Sequence, residues 1–474
     1  MQDYTNWTIE EIKTADFGDK RLNKRFGGLL NILSSAPNCS LPRACQSWKE
    51  TIAAYRFLNH ENVTANDILS CHQQSTLERI KNEKVVLIPQ DTTEIDFTGR
   101  KAINGMGYLD TKKSQGFYLH LSLATTPERL CLGVVDFQSW AREKLGIRKD
   151  RKNKSIEEKE TYCWLKGYEA ANEIALATPN TVIVNICDRG GDIYEVLGKM
   201  PSETNKAFWL IRSSMDRKTL TKKGDKELKL REIVRASKAI GRIEFNLPTG
   251  KVYNRIILKK RIARKERTVQ QEVRACTVSL HPPKRKGKEL TPIAINVVHC
   301  VEINPPNDEE RIEWFLLTSF PISSAEAAIT IVKWYLCRWQ VETFFKVLKS
   351  GCTVEELQFE SLRATTNCIA VYTIIAWRIL HLTMLGRTCP NIECSAVFEP
   401  DEWQSVYAVA TKKPPPINPP KLNEIILMIA KLGGFLGRKS DGYPGPQVMW
   451  IGLQRAQDFT LAWQTFNSIP KTYV

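Results

Sequence analysis

Between residue 8 and about residue 80 the apolar positions recur at helical spacing. Asp19 to Leu33, Pro42 to Leu58 and Thr64 to Lys81 read as helices, and the last opens on Thr64 with Asp67 three residues later. From Lys84 the period shortens. Val85 to Ile88 is an apolar run that ends in Gln90-Asp91-Thr92-Thr93, and Phe117 to Ala124 and Leu130 to Phe137 pair as a hairpin across a Thr-Pro-Glu-Arg turn. A charged loop, Arg142 to Lys154, precedes a capping pattern at Ser155 to Glu158 and a helix to about Ala177. Thr181 to Cys187 reads as a buried strand ending in Asp188, Gly191 to Lys199 as a short helix, and Phe208 to Ser213 as a further strand. Strand, hairpin, helix, strand, helix, strand is the order of an α/β layered sheet with parallel and antiparallel parts.

Residues 215–305 interrupt that order with charged, alternating segments: Gly241 to Phe245, Gln271 to Leu280 and Ile293 to Ile303 read as antiparallel strands of a β-rich insertion. Its run from Arg255 to Arg267 is strongly basic, which fits a nonspecific phosphate patch or a solvated hairpin. Trp314 to Ser319 returns to the buried-strand pattern. Leu362 to Leu385 is an apolar helix, Pro414 to Pro420 a stiff linker or turn, and Leu422 to Leu432 and Gln447 to Asn467 helices joined by a Gly-rich segment.

Composition narrows the class. The 474 residues carry a net charge of +16, which favours a polyanionic partner. Nucleic acid fits better than a membrane: the N-terminus lacks a signal-peptide pattern, and the most apolar run, Ala364 to Trp377, is too short to span a bilayer. Thirteen cysteines without a C-x-x-C pair, and six histidines apart from them, argue against structural zinc and for a reducing, cytoplasmic setting.

The densest chemistry lies between Tyr335 and Lys349, a stretch without Gly or Pro that reads as one helix capped at Ser323 to Glu326. At about 100° per residue from Tyr335, Arg338 falls near ~300°, Glu342 near ~340° and Lys349 near ~320°, so the four share a sector of about 60°. A solvated charged face accounts for such a pattern unless something else converges on it. Two aspartates standing just past buried-strand runs, Asp91 and Asp188, are such a feature, because ligands bind at the carboxyl ends of strands in α/β sheets. With Glu342 they supply three hard oxygen ligands for Mg²⁺ or Mn²⁺, and a pair of such ions can activate one oxygen of a phosphodiester and stabilise another. Strand-end aspartates also form turns and caps. Glu94, Asp96 and Asp136 rival Asp91, and Asp192 reads as a cap rather than a ligand.

The spacing Tyr335-x₂-Arg338-x₃-Glu342-x₆-Lys349 is similar to the Tyr-Arg-Glu-Lys signature of bacterial cut-and-paste DDE transposases of the insertion-sequence-four family. Asp91 in Gln-Asp-Thr-Thr and Asp188 in Cys-Asp-Arg-Gly-Gly-Asp-Ile resemble that family's first two acidic motifs. Gly18 to Arg21, Ala54 to Phe57, Trp314 to Ser319 and Leu432 to Phe435 also resemble its segments, so the likeness runs along nearly the whole chain. It implies a helical DNA-binding domain over 1–80, an RNase H-like catalytic domain over 81–365 with the β-rich insertion at about 215–305, and a helical dimerisation domain over 366–474. Asp91, Asp188 and Glu342 would hold two Mg²⁺ ions, with Mn²⁺ tolerated. Tyr335, Arg338 and Lys349 would grip the DNA end, Trp314 would stack a flipped base, and Arg212, Arg25 and Arg56 would contact DNA. The expected partners are transposon-end and target double-stranded DNA and a second copy of the chain in a synaptic complex. Two departures stand out: the glycine-rich Arg189-Gly190-Gly191, and Asn59 where a relative has arginine. A related nuclease or a noncatalytic DNA-binding regulator are the alternatives, and three intact carboxylates argue against the regulator.

Overall fold

The computed structural model describes residues 6–101, 103–143, 154–220, 228–247, 250–254, 260–264, 266–284, 290–307, 309–439 and 441–468. The first elements are α1 (Asn6–Ile12), α2 (Lys20–Ser35), α3 (Leu41–Cys45), α4 (Trp48–Leu58) and α5 (Ala65–Ile80), followed by β1 (Val85–Asp96), β2 (Gly107–Tyr108), β3 (Gln115–Thr125) and β4 (Cys131–Trp140). Next come α6 (Tyr162–Ala177), β5 (Val182–Cys187), α7 (Tyr194–Leu197), β6 (Phe208–Arg212), α8 (Leu230–Ala236), β7 (Ala239–Leu247), β8 (Gly250–Asn254), β9 (Lys260–Arg264), β10 (Arg267–Leu280), β11 (Ile293–Glu302) and β12 (Glu313–Thr318). The remainder is helical: α9 (Ala325–Leu336), α10 (Trp339–Lys346), α11 (Leu362–Thr388), α12 (Pro400–Thr411), α13 (Leu422–Leu432) and α14 (Pro446–Ser468). The chain is thus a mixed α/β protein with helical ends. It divides into two units, one built from the described residues of Met1–Glu83, Thr92–Gly146 and Gln340–Val474, the other from those of Lys84–Asp91 and Ile147–Trp339.

In the first unit, side-chain caps start the helices: Asp19 accepts from the Arg21 amide, Ser47 from that of Glu50, and Thr64 and Asp67 form a reciprocal capping box. The expected helix from Pro42 breaks at Gln46, whose φ of 55° is left-handed, so α3 and α4 replace it. Helix α11 packs against α2, α5 and β4. By length and composition it is long enough to cross a membrane, unlike the shorter apolar run read from the sequence, but 83% of its most apolar window is buried among its neighbours. It is the core helix of this unit.

A buried polar knot ties α1 into that core. Glu11 accepts two hydrogen bonds from Arg79, each 3.0 Å, and contacts His72 Nδ1. His72 Nε2 accepts from the Val134 amide at 2.9 Å, which fixes its proton on Nδ1, facing Glu11. The Arg79 guanidinium lies 4.2 Å from the centre of the Trp377 ring. Burial alone would raise the Glu11 carboxyl, but His72 and Arg79 outweigh it and hold it at about 2. Burial likewise pushes the His72 imidazole down, keeping it neutral.

In the second unit the strand order is β1-β5-β6-β12-β11-β10-β7, with β1, β5 and β6 parallel and the rest antiparallel. The strands of the expected β-rich insertion extend the same sheet: β12 closes on β6, and the insertion's β11, β10 and β7 follow outward. Pairing partner, a long-range property, overrides the interruption in sequence. Among the described residues β8 and β9 alone form a separate hairpin; Arg255 to Lys259 and Lys265, and the side chains of the basic run up to Arg264, fall outside the described residues, as does most of the loop from Arg142 to Lys154. The Ser155 amide does donate to Glu158 at 2.8 Å, but α6 begins later, at Tyr162. All thirteen cysteines are free thiols, ten of them buried.

Losing Glu11 leaves a buried imidazole without its acceptor and a partly buried guanidinium without its carboxylate. Glu11→Ala is expected to cost about 3–5 kcal/mol, read as a lowered urea midpoint at pH 7. The folded Glu11 pKa is depressed, so its contribution is full above 4.5 and is lost as pH falls from there toward about 2. Neutral His72 adds a loss that begins below 6.5, where the unfolded chain takes up a proton. Acid titration of stability should therefore be shallower below pH 4.5 in Glu11→Ala than in the wild type; parallel curves would refute the pairing.

Candidate active site and nucleic-acid interface

Strands β1 and β5 run parallel from Val85 opposite Val182 to Pro89 opposite Ile186, a constant offset of 97 (182 − 85). Asp91 and Asp188 differ by the same 97 (188 − 91) and each stands two residues past the last paired positions, Asp91 within β1 and Asp188 in the turn that follows β5. Neighbouring strands lie about 4.8 Å apart. Both aspartates sit close enough to the buried Cys187 thiol to raise its pKa further, after the larger effect of burial. Strand β1 does not end at Gln90, as the sequence pattern implied, but runs on to Asp96; what ends there is its fully buried section.

The opposite face is fixed by a buried amide pair. Gln90 donates to Asn185 at 2.7 Å and to the Trp164 carbonyl of α6 at 3.3 Å. Gly167 lets α6 come this close, since a Cβ there would lie 2.3 Å from the Gln90 side chain. The glycine pair after Asp188 has a packing reason as well: a Cβ on Gly190 would meet Trp164 at 2.6 Å, and one on Gly191 would meet Cys187 at 2.4 Å. Asp188 caps this tight turn by accepting from the Gly190 amide at 2.6 Å. Asp192 is buried and accepts from the amides of Ser214 and Met215 and from Arg217 at 2.6 Å, so it anchors a loop.

On the carboxylate face stands a cluster of cations and aromatic rings. Arg338 donates from Nη1 to Asp91 Oδ2 at 3.2 Å. Its guanidinium lies 5.9 Å from the Tyr335 ring centre. The Tyr335 hydroxyl is buried without a hydrogen-bond partner of good geometry. Burial raises its pKa, the charges of Arg338 and Arg212 pull it back, and Asp188 adds to the rise. Burial lowers Arg212, and the neighbouring Arg189 and Arg338 charges lower it further. Trp314 is 5% exposed, its ring stacked on Phe245 at 5.5 Å and edge-on to Tyr335 at 5.5 Å.

The single helix expected through Tyr335 and Lys349 is broken. Helix α9 caps at Cys337, α10 restarts at Trp339, and Val347 to Gly351 winds as a π-helix. Hence Tyr335 and Arg338 belong to the second unit, Glu342 and Lys349 to the first, and the shared sector computed for a continuous helix does not apply. Glu342 is exposed on the first turn of α10. Lys349 pairs with Glu355 at 2.9 Å, and Glu355 also accepts from the Asp96 amide at 3.0 Å. The rivals of Asp91 have other work: Asp96 accepts from the Thr98 amide, Asp136 from Gln138, and Glu94 from the Tyr118 hydroxyl. Two adjoining carboxylates fit a hard divalent cation. Among the described residues no three His, Cys, Asp or Glu side chains are gathered as a complete ligand set.

Arg25 and Arg56 meet in a groove of about 830 Å³ between α2 and α4, lined also by Arg21, Lys24, Lys49 and Trp48. Five cations there face one carboxylate, Glu50, and Trp48 is 79% exposed. Sequence reading missed Trp48 and Arg189. The signal for Trp48 was an aromatic on the first turn of a helix otherwise basic on that side; Arg189 was hidden in a motif read for its aspartate. A larger cavity, of about 1410 Å³, is lined by Glu50, Glu399, Asp401, Glu402 and Asp458 against Arg43, the wrong charge for phosphate.

Three family models match the chain in order. Residues 4–63 match the transposase DNA-binding domain, 175–377 the transposase DDE domain and 374–468 the transposase Tn5 dimerisation domain. Transposase DDE domains use divalent metal ions. Among solved structures, the chain is similar to the cryo-EM structure of a piggyBac transposase synaptic complex with hairpin DNA, at 9% identity and a TM-score of 0.36, over 98% of this chain and 78% of that one. With its basic N-terminal helices, its strands β5 to β12 and its helical C-terminal region each matching the corresponding domain, the chain is a DNA transposase of the DDE type that binds DNA and dimerises.

Proposed function

We propose that this transposase cleaves element ends through a hairpin intermediate and joins them to target DNA, with Asp91, Asp188 and Glu342 as its catalytic carboxylates. The observation that supports the reading is the 97-residue offset of the β1–β5 pairing, which Asp91 and Asp188 share just past its end, with Arg338 bonded to Asp91. Mg²⁺, two ions when bound, would be held by these carboxylates and would supply charge stabilisation and an activated oxygen at the phosphodiester. The residues around them handle the DNA. Arg338 offers a forked donor to phosphate, Arg212 adds a second positive charge, and Tyr335 sets the edge of the phosphate site with its hydroxyl. Lys349 acts with them on the end, released from Glu355 by a stronger anion.

In this reading a water first cleaves one strand, and the freed 3′-hydroxyl attacks the opposite strand to close a hairpin. Opening the hairpin restores the hydroxyl for attack on target DNA, so each step exchanges one phosphodiester oxygen for another. A tight hairpin is relieved by extruding a base at a cost of a few kcal/mol. Trp314 receives it on one condition: with its ring covered by Phe245 and Tyr335, one of them must move aside. Two copies synapse two ends, the C-terminal helices forming the contact, and the reaction takes place in the cytoplasm. Intact carboxylates at Asp91, Asp188 and Glu342 favour this over the noncatalytic regulator.

Purified protein, a pre-cut end, target DNA and Mg²⁺ are expected to give joined product that vanishes in Glu342→Ala while end binding survives; joining at wild-type rate by Glu342→Ala would remove it from the catalytic set. In the basic groove, Arg25→Ala and Arg56→Ala should each weaken end binding and reduce the slope of log affinity against log salt by about 0.9. An unaltered slope in both would place the DNA elsewhere. With 2-aminopurine at the hairpin tip, Trp314→Ala should lower the fluorescence change on binding, and a signal equal to the wild type would end that role.

A further inference from the structure

We propose that Arg338 competes with the catalytic metal for Asp91, so that DNA and metal load the site cooperatively. The proposal rests on the reading of Asp91 and Asp188 as metal ligands. In the protein alone, Arg338 Nη1 lies 3.2 Å from Asp91 Oδ2, with the side chains only 9% and 19% exposed. Water screens such a pair poorly, and a guanidinium does not lose its proton in a protein. The contact therefore ends only when Arg338 moves.

While it persists, two things oppose a dication. One Asp91 oxygen is engaged by a hydrogen bond, and a fixed positive charge stands beside the place the ion must take. Arg212 lies close enough to Arg338, and to Arg189, for their charges to act on it, so the positive field is not that of one residue. A phosphodiester reverses both effects. It presents two oxygens to a forked guanidinium, and paired donors favour a bidentate acceptor. Arg338 drawn onto phosphate gives up its hydrogen bond to Asp91 Oδ2, and the added negative charge offsets the cations around the site. Because coupling is reciprocal, metal on Asp91 also releases Arg338 to the DNA. The Cys337–Arg338 turn puts this residue at the junction of α9 and α10 rather than within either helix.

The test is Mn²⁺ binding to the whole chain, read from the paramagnetic resonance of the free ion, with and without a mixed-sequence duplex. Arg338→Gln without DNA should bind Mn²⁺ about 5–150-fold more tightly than the wild type. The duplex should raise wild-type affinity by a similar factor and leave that of Arg338→Gln unchanged. Arg338→Lys, which keeps the charge, should stay near the wild type. Arg338→Met, uncharged and of similar reach, takes the place of Arg338→Gln if the latter loses its thermal unfolding transition. Equal or weaker Mn²⁺ binding by the uncharged variants, with Asp91→Asn still abolishing it, overturns the competition and leaves the metal site intact. Full Mn²⁺ binding by Asp91→Asn instead removes the metal reading on which the competition rests.

Discussion

Everything in the second unit that bears on chemistry depends on one constraint, the parallel pairing of β1 with β5 in a register that holds from Val85 to Pro89. Side chains alternate along a strand, so a slip of one residue would turn one carboxylate away from the other. The buried Gln90–Asn185 bond resists that slip, because moving either strand leaves an amide unsatisfied away from water. Helix α6 adds a second lock, with its Trp164 carbonyl on Gln90 and no room at Gly167 for a side chain.

Charge is distributed with the same economy. The buried Glu11 of the first unit is neutralised internally by Arg79, with the neutral His72 imidazole as a hydrogen-bond partner. Around Asp91 and in the groove between α2 and α4, by contrast, cations outnumber the carboxylates that could pair with them. Folding alone gives no return for crowding Arg189, Arg212 and Arg338, whose mutual repulsion is partly relieved by a polyanion. The overall charge of +16 therefore has local meaning: cations are in excess around Asp91 and in the groove between α2 and α4.

Much of this was legible in the sequence. Buried strands such as Val182–Cys187 announce themselves as short apolar runs, and capping residues such as Thr64 mark helix starts because the chemistry is local. Asp91 and Asp188 were placed beside the buried runs by the same reasoning. The break between α9 and α10 was not legible, since Cys337 and Arg338 are neither glycine nor proline and nothing nearby signals a turn. Nor was the sheet joining β12 to β11, β10 and β7, because the choice of partner strand is made by contacts far apart in the chain. Helix α12 went unread, although Pro400 stands at its start and Glu399 and Glu402 cap it. The ion pair of Lys349 with Glu355 depends on a π-helical turn that a regular period does not anticipate.

The thiols have a practical side. Ten of the thirteen cysteines are buried, leaving Cys39, Cys276 and Cys389 as the partly exposed ones. Cys39 follows α2, Cys276 lies on β10 and Cys389 ends α11, so one falls in the second unit and two in the first. Maleimide dyes or spin labels thus have native attachment points in both units. A probe at each would report on its own unit without first stripping the chain of its cysteines.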